Sequence, residues 1–501
     1  MSWHKVAAGL PAEEVNGMTS TLACARQAQR QWARQSVRQR LRVVRRLRHL
    51  MACDTDTLTQ AIAKSGTRSP AETLMAEVLP LADACKFLER EAVALLQPRR
   101  LGFRHRPLWL HGVKANVHRE PFGVVFIIAP ANYPLFIPGV QLLQALVAGN
   151  AVVLKPGQGG STAARTLAVM LQQAGLEPHL VHILPEAPEV ADAVIAAGID
   201  KVIVTGQDTT GRAVLAKLAA HLVPATLELS GCDAAFVRAD ADLDLVARAL
   251  QFGLRFNGSA TCIAPRRIFV AQALADALEA RLLSGVCDAA PYAVAPAVLA
   301  RLQTLVVEAC QQGARCLTGR FLPNKTMTPV IVADAEPSMR LLQEDCFAPV
   351  LALVRVRDDD EALAAAAHCP YALGATVFGQ SRAAPALARR IRAGVVVVND
   401  VIVPTADPRL PFGGRGGSGY GVTRGAEGLL DLTTIKAITV RQGRWRPHYE
   451  PPQPEDAALF RAYMAAVHGG AWRSRVVALA AGLQGVMKRR RHHRRLKREE
   501  G

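Results

Sequence analysis

The stretch PFGVVFIIAPANYPLFIPGVQLLQALVAGNAVVLKPG, residues 121–157, decides the fold. From Pro121 to Leu154 it carries no charge over 34 residues, a length that a hydropathy scan assigns to a membrane span. Its punctuation argues otherwise. Pro130, Pro134 and Pro138 interrupt the run, Asn132 and Asn150 add polar amides, and its ends are rich in Val and Ile. The pattern predicts strands over 124–128 and 151–154, apolar on both faces as in a buried parallel sheet, with a helix over 135–148 between them.

The alternation continues outward. A helix is expected over 161–174, a strand over 181–184, a helix over 190–197, a strand over 201–204, and then a helix entered through Thr205-Gly206 and running to His221. Strand and helix in turn imply right-handed crossovers and an open α/β sheet, which binds ligands at the carboxyl ends of its strands. Residues 229–428 repeat the alternation and read as a second α/β domain. Upstream, residues 11–96 are helical, with Leu41, Val44, Leu47 and Leu50 on one stripe, and residues 98–120 read as an extended arm. Downstream come a strand-like run at 438–440, a Pro-rich stretch at 447–454 and one or two helices over 457–500.

At 501 residues the chain is long enough for roughly three domains. Half its residues are hydrophobic and 20% are charged, which excludes a disordered or collagen-like chain. The net charge of +18 is concentrated: residues 473–501 hold ten basic side chains against Glu499 and Glu500, and residues 26–48 hold nine Arg and no acid. Two basic patches on a near-neutral body do not make a nucleic-acid surface, so no specific nucleic-acid partner is expected. The ten cysteines contain no C-x-x-C pair, which speaks against zinc or a disulfide framework and for a reducing compartment; no metal is expected. Residues 1–40 have no apolar core of a signal peptide, so a cytoplasmic location is expected.

Several short segments carry polar groups where such a sheet presents its ligands. The loop Pro130-Ala131-Asn132-Tyr133-Pro134 ends the first strand, and Lys155 ends the second. Alone, the first is a turn Asn between prolines and the second a solvated strand-end Lys. Gly206-Gln207-Asp208-Thr209-Thr210-Gly211 opens a helix with backbone amides that can hold a pyrophosphate, although strand-to-helix turns need Gly anyway. Thr226-Leu227-Glu228-Leu229-Ser230-Gly231 sets an acid among apolar neighbours, and Cys262 follows 34 residues later. An acid with a nucleophile is a catalytic pair, whereas singly each reads as a surface Glu and a small core filler.

In order and spacing these elements resemble the aldehyde dehydrogenase superfamily over residues 11–440. Gln343-Glu344-Asp345-Cys346-Phe347-Ala348-Pro349, similar to the family's Glu-Glu-x-Phe-Gly-Pro, and Pro411-Phe412-Gly413-Gly414 before Ser418-Gly419 add to the match. The resemblance implies a Rossmann-type coenzyme domain (1–101 and 119–230), an α/β catalytic domain (231–428) and a β oligomerisation arm (102–118 and 429–446). A basic extension (447–501) lies outside it. It further implies oxidation of an aldehyde to a carboxylic acid with NAD or NADP, with Cys262 as nucleophile through a thiohemiacetal and a thioester. Asn132 and the Cys262 amide would hold the oxyanion, and Glu228 would activate water. For the cofactor it implies Lys155 and Gln158 at the adenosine ribose, Gly206, Gln207 and Gly211 at the pyrophosphate, Asp345 at the nicotinamide ribose and Phe347 at the nicotinamide face. A homodimer or homotetramer is expected through the arm.

Some positions depart from the family pattern. Ala131 replaces an aromatic, Ser230 and Cys232 stand for Gly and Lys, and Ser259-Ala260 replace Gly-Gln before the nucleophile. Gln158 stands where NAD-preferring members have Glu, leaving NADP use open, and Asp208 brings a carboxylate to the phosphate turn. These changes support an alternative: a catalytically impaired relative acting as a binding or oligomerising module. In the tail, an apolar run (476–487) followed by basic residues suits an anionic membrane surface, or a solvated terminus.

Overall fold

The structure is a computed structural model that describes residues 12–63, 68–287, 289–380, 382–444, 446–449, 451–453 and 456–499. The expected start of the helical section at Pro11 lies outside them, as do the side chains of 489–499, which carry most of the terminal basic cluster. Helical spacing upstream becomes α1 (Ala12–Arg34), α2 (Val37–Cys53), α3 (Thr55–Ala63) and α4 (Leu79–Leu96). Ser36 starts α2 with a reciprocal cap: its hydroxyl accepts from the Gln39 amide, and the Gln39 side chain accepts from the Ser36 amide at 2.8 Å. Leu41, Val44 and Leu47 are buried as the stripe predicts, while Leu50 lies at its edge and Met51 takes the core position. The Arg-rich stretch is not simply a surface patch. Arg26 pairs with Asp200 at 2.5 Å, Arg45 and Arg48 both reach Glu89, and Arg40 is buried, so much of this charge is used internally.

The charge-free stretch divides as its prolines and amides require. It gives β1 (Val124–Ile128), α5 (Phe136–Ala148) and β2 (Ala151–Lys155), every residue of both strands buried. Among the described residues no helix is long and apolar enough to cross a membrane. Then follow α6 (Ser161–Gln173), β3 (Val181–Ile183), α7 (Glu189–Ala197), β4 (Lys201–Thr205), α8 (Asp208–Ala219) and β5 (Ala225–Glu228).

A second sheet uses β6 (Asp233–Val237), β7 (Pro265–Ala271), β8 (Arg315–Thr318), β9 (Val330–Ala333), β10 (Val350–Val356), β11 (Gly374–Phe378) and β12 (Val395–Val398). A short strand, β13 (Gly419–Tyr420), returns antiparallel to the edge of the first sheet, setting Gly419 opposite Glu228.

The first sheet runs β13-β5-β4-β1-β2-β3 and the second β8-β9-β10-β7-β6-β11-β12. Apart from β13 and β8 at their edges, neighbouring strands are parallel. In the first sheet the strand order reverses between β1 and β4, which opens a crevice at their carboxyl ends. The loop carrying Asn132 and the turn carrying Gly206 leave from those two ends. Strands Arg99–Leu101, Val113–Pro121 and Thr433–Arg441 form a separate three-stranded sheet, the last of them longer than the run expected at 438–440.

The chain divides into two compact units, Met1–Arg100 with Asn116–Ile438, and Leu101–Ala115 with Thr439–Gly501. Within the second unit α9 (Asp456–His468) packs on α10 (Trp472–Glu499). Ala478 is buried and Gly485 faces Leu459, while Val476, Leu479, Leu483 and Met487 stay exposed on α10.

Candidate active site

Asn132 is fixed from three directions. Its carbonyl accepts from Arg68 Nη2 at 2.7 Å and from Asn257 Nδ2 at 3.1 Å, and its own Nδ2 donates to the Ala260 carbonyl at 2.6 Å. That last bond uses one of two N–H groups and leaves the other for a ligand. Glu77 anchors the far end of the loop: fully buried, it pairs with Arg68 at 2.9 Å and accepts from the Leu135 and Phe136 amides at 3.1 and 2.6 Å. Burial pushes the Glu77 carboxyl up, and Arg68 opposes this. Neither Arg68 nor Glu77 stood out in the sequence.

Cys262 follows a strained turn. Asn257, Gly258 and Ser259 all have positive φ, at 55°, 58° and 64°, where a side chain is disfavoured. Arg266, buried, holds the turn by bonding the Ser259 hydroxyl at 2.8 Å and its carbonyl. This gives the Ser at 259 a structural use. Tyr133 joins the two loops through a 2.8 Å bond between its hydroxyl and that of Thr261. Gly231 permits the close approach of Cys262, because a Cβ there would stand 2.6 Å from the Cys262 carbonyl oxygen. The Cys262 backbone N–H meets no acceptor among the described residues. With the spare Asn132 N–H it makes a pair of unspent donors on the two loops that Tyr133 joins, the kind of donors that an oxyanion requires.

Cys262, Glu228 and Arg424 line one cavity of about 600 Å³ whose other walls are apolar, among them Phe136, Phe256 and Phe412. Glu228 ends β5, buried, and accepts from the Thr423 hydroxyl at 3.0 Å. Burial raises its carboxyl above the usual range, while Arg424 and the Thr423 bond pull it down. The surroundings of the Cys262 sulfur disfavour its ionisation. Burial first, then Glu228 and Asp233, push Cys262 well above a free cysteine, so the resting form is the thiol; Arg424 is the opposing cation.

Arg424 itself escaped the sequence reading. Its guanidinium lies 4.2 Å from the Phe412 ring centroid and 5.6 Å from that of Phe136, and Nη1 donates to the Thr405 carbonyl at 2.7 Å. Nothing in the sequence separates it from Arg409 and Arg415 nearby, which are exposed.

Four of the cofactor candidates follow the carboxyl ends of strands in the first sheet, and Asp345 and Phe347 lie in the loop before β10 of the second. Lys155 is buried at the end of β2 with its ammonium on the Pro156 carbonyl at 3.3 Å, and burial lowers its pKa. Gln158 is exposed in the loop that follows. Glu186, after β3, reaches across to this loop and accepts from the Gly159 and Ser161 amides, both at 2.8 Å. At β4, open space faces Gly206, and Gln207 makes no side-chain cap, so the first amides of α8 are free of protein acceptors among the described residues. Gly211 lies one turn on, where a Cβ would stand 2.6 Å from Leu229; its place is in packing. Asp208 lies 3.7 Å from Arg212. Burial pushes the Asp345 carboxyl up to about 6, with Ser230 and Arg266 pulling the other way. Phe347 is half-buried beyond it. Uncapped amides beside open space, and a buried ammonium with one carbonyl acceptor, fit a dinucleotide.

Comparison with known proteins agrees with this geometry. The profile of the aldehyde dehydrogenase family matches residues 3–438. Over 460 residues the chain is 29% identical to 4,4'-diapolycopene aldehyde oxidase of Methylomonas sp., covering 89% of this chain and 86% of that protein. A Mycobacterium tuberculosis aldehyde dehydrogenase complexed with NAD+ superposes with a TM-score of 0.79 at 25% identity, covering 86% of this chain and 92% of that one. A Bacillus halodurans NADP-dependent glyceraldehyde-3-phosphate dehydrogenase complexed with NADP gives 0.78 at 27% identity, covering 85% and 91%.

Proposed function

The chain belongs to the aldehyde dehydrogenase family, enzymes that oxidise an aldehyde to a carboxylic acid with NAD or NADP, and from that premise we propose that Cys262, Asn132 and Glu228 carry the reaction. The observation behind this reading is that thiol and acid line one apolar cavity, while the N–H donors of Asn132 and Cys262, on loops joined by the Tyr133–Thr261 bond, are unspent among the described residues. The Cys262 sulfur attacks the aldehyde carbon as the thiol gives up its proton to solvent, and the carbonyl oxygen becomes an oxyanion held by those donors. When bound, the nicotinamide cofactor accepts the hydride that leaves this carbon. The acyl group then stays on Cys262 as a thioester. Glu228 takes a proton from water, the hydroxide adds to the thioester carbon, and the acid leaves as the thiol is restored.

Lys155, Gln158, Gly206, Gln207, Asp345 and Phe347 are the proposed cofactor contacts; the first four follow the carboxyl ends of β2 and β4 in the first sheet, and that placement supports the reading. Glu228→Gln should slow hydrolysis by roughly 10²–10⁴-fold and let the acyl-enzyme accumulate. Intact-mass measurement after mixing with aldehyde and cofactor would find the acyl group on Cys262. An unmodified protein that still turns over at the wild-type rate would remove Glu228 from this role.

The domain division and the quaternary state belong to the same proposal. The coenzyme domain comprises 1–101 and 119–230, the catalytic domain 231–428 and the arm 102–118 with 429–446, through which copies pair as a homodimer or homotetramer. Exposed Phe103, Trp109 and Val440 support that pairing. Ten free cysteines suit a reducing compartment such as the cytoplasm. The exposed apolar face of α10 supports attachment to an anionic membrane surface.

A further inference from the structure

Two helix N-termini meet at the carboxyl edge of the first sheet, and they differ. The α8 terminus, after β4, has no side-chain cap, and its first amides are unclaimed by protein acceptors among the described residues. The α6 terminus, after β2, is already taken: Glu186 Oε2 accepts from Gly159 and Oε1 from Ser161, each at 2.8 Å. The carboxylate comes from neither the β2 loop nor α6 but from the end of β3, the strand beside β2. The residue in the β2 loop that faces the same region, Gln158, is neutral.

We propose that Glu186 makes this enzyme select NAD over NADP. The inference rests on the dinucleotide reading given above, in which Lys155 and Gln158 flank the adenosine ribose. A phosphate near a helix N-terminus gains from free amides and positive dipole, and here a side chain of the same charge sign already holds the first amide of α6 and sits on that dipole. A 2′-phosphate at that ribose meets a carboxylate fixed by two backbone bonds and is repelled by it, whereas a 2′-hydroxyl can donate to that carboxylate. Lys155 does not reverse this, since Glu186 and Glu189 already act on its ammonium. The bonds to Gly159 and Ser161 hold the Glu186 carboxyl below the usual carboxylate range, which favours its charged form. The sites for the two phosphate groups are thereby told apart: the pyrophosphate goes to the open α8 terminus, and no third phosphate is admitted at α6.

The test measures binding of NAD+ and NADP+ to the full chain by titration calorimetry, without substrate, for the native sequence, Glu186→Gln and Glu186→Ala. The native chain should bind NAD+ at least ten-fold more tightly than NADP+. Each variant should narrow that ratio by ten-fold or more, chiefly through tighter NADP+ binding, with Glu186→Gln preserving the loop through its amide oxygen. A ratio unchanged in both variants, or a native preference for NADP+, overturns the role of Glu186 while leaving the dehydrogenase reading intact. Failure of the native chain to bind either dinucleotide overturns that reading, and this inference with it.

Discussion

At the scale of single residues, the site is a balance of charges in an apolar cavity. In the proposed reaction Cys262 and Glu228 are both needed in anionic form at some stage; burial opposes both, and Arg424 is the cation that favours both. The consequence for pH has a definite sign. A thiol and a carboxyl with raised pKa values ionise only as pH rises through those values, so activity climbs toward alkaline pH and is lost below. Arg424→Met keeps a long apolar side chain between Phe412 and Phe136 but removes the charge. Its expected effect is to move the alkylation of Cys262 by iodoacetamide to higher pH, with Arg424→Lys restoring part of the shift. Alkylation profiles that coincide for native and Met proteins would show that Arg424 has no hold on the sulfur. The residue was illegible in the sequence because its use depends on enclosure: Arg409, Arg415 and Arg424 look alike until Phe136, 288 residues upstream, closes over one of them.

At the scale of elements, the parallel strands and their crossover helices were readable because burial on both faces forces continuous apolar runs; Val124–Ile128 and Lys201–Thr205 follow that rule to within a residue. The catalytic loops were readable only as motifs. What holds them came from elsewhere in the chain: Arg68 and Glu77 brace Asn132, and Glu72 accepts from the Asn257 amide at 2.5 Å, across sequence separations that no local pattern encodes. The long strand Thr433–Arg441 was underread for a different reason, since its residues are mostly exposed and so lack an apolar signature. The Arg68–Glu77 strut permits a quantitative expectation. Removing one partner of a buried pair leaves the other uncompensated, at a cost of about 3–5 kcal/mol. Arg68→Met should therefore lower the denaturant midpoint and also slow turnover, because the Asn132 carbonyl loses its 2.7 Å donor. A variant with unchanged stability would mean that Glu77 accommodates the loss by protonation.

At the scale of the molecule, large exposed apolar side chains are concentrated in one unit. Phe103, Trp109, Phe460, Trp472, Leu479 and Leu483 all lie in the unit of 101–115 and 439–501. The α9–α10 pair explains part of the distribution, because its own contact uses small residues, Ala478 and Gly485, and turns the bulky ones outward. A helix whose small residues make the intramolecular seam and whose Val476, Leu479, Leu483 and Met487 recur at helical spacing on the open side has an apolar stripe left exposed by the described residues. The sequence beyond Met487 is then densely basic. Apolar insertion and attraction to anionic headgroups add, the latter at about 1 kcal/mol for each Lys or Arg near the surface. The full chain should therefore sediment with vesicles containing phosphatidylglycerol and not with pure phosphatidylcholine. Attachment should weaken in 1 M salt, where the screening length falls to about 3 Å. Leu479→Glu with Leu483→Glu should abolish it without loss of activity on a water-soluble aldehyde. If those substitutions leave sedimentation unchanged but convert the protein to a smaller oligomer, the stripe is covered by a second copy of the chain, and the membrane assignment is withdrawn.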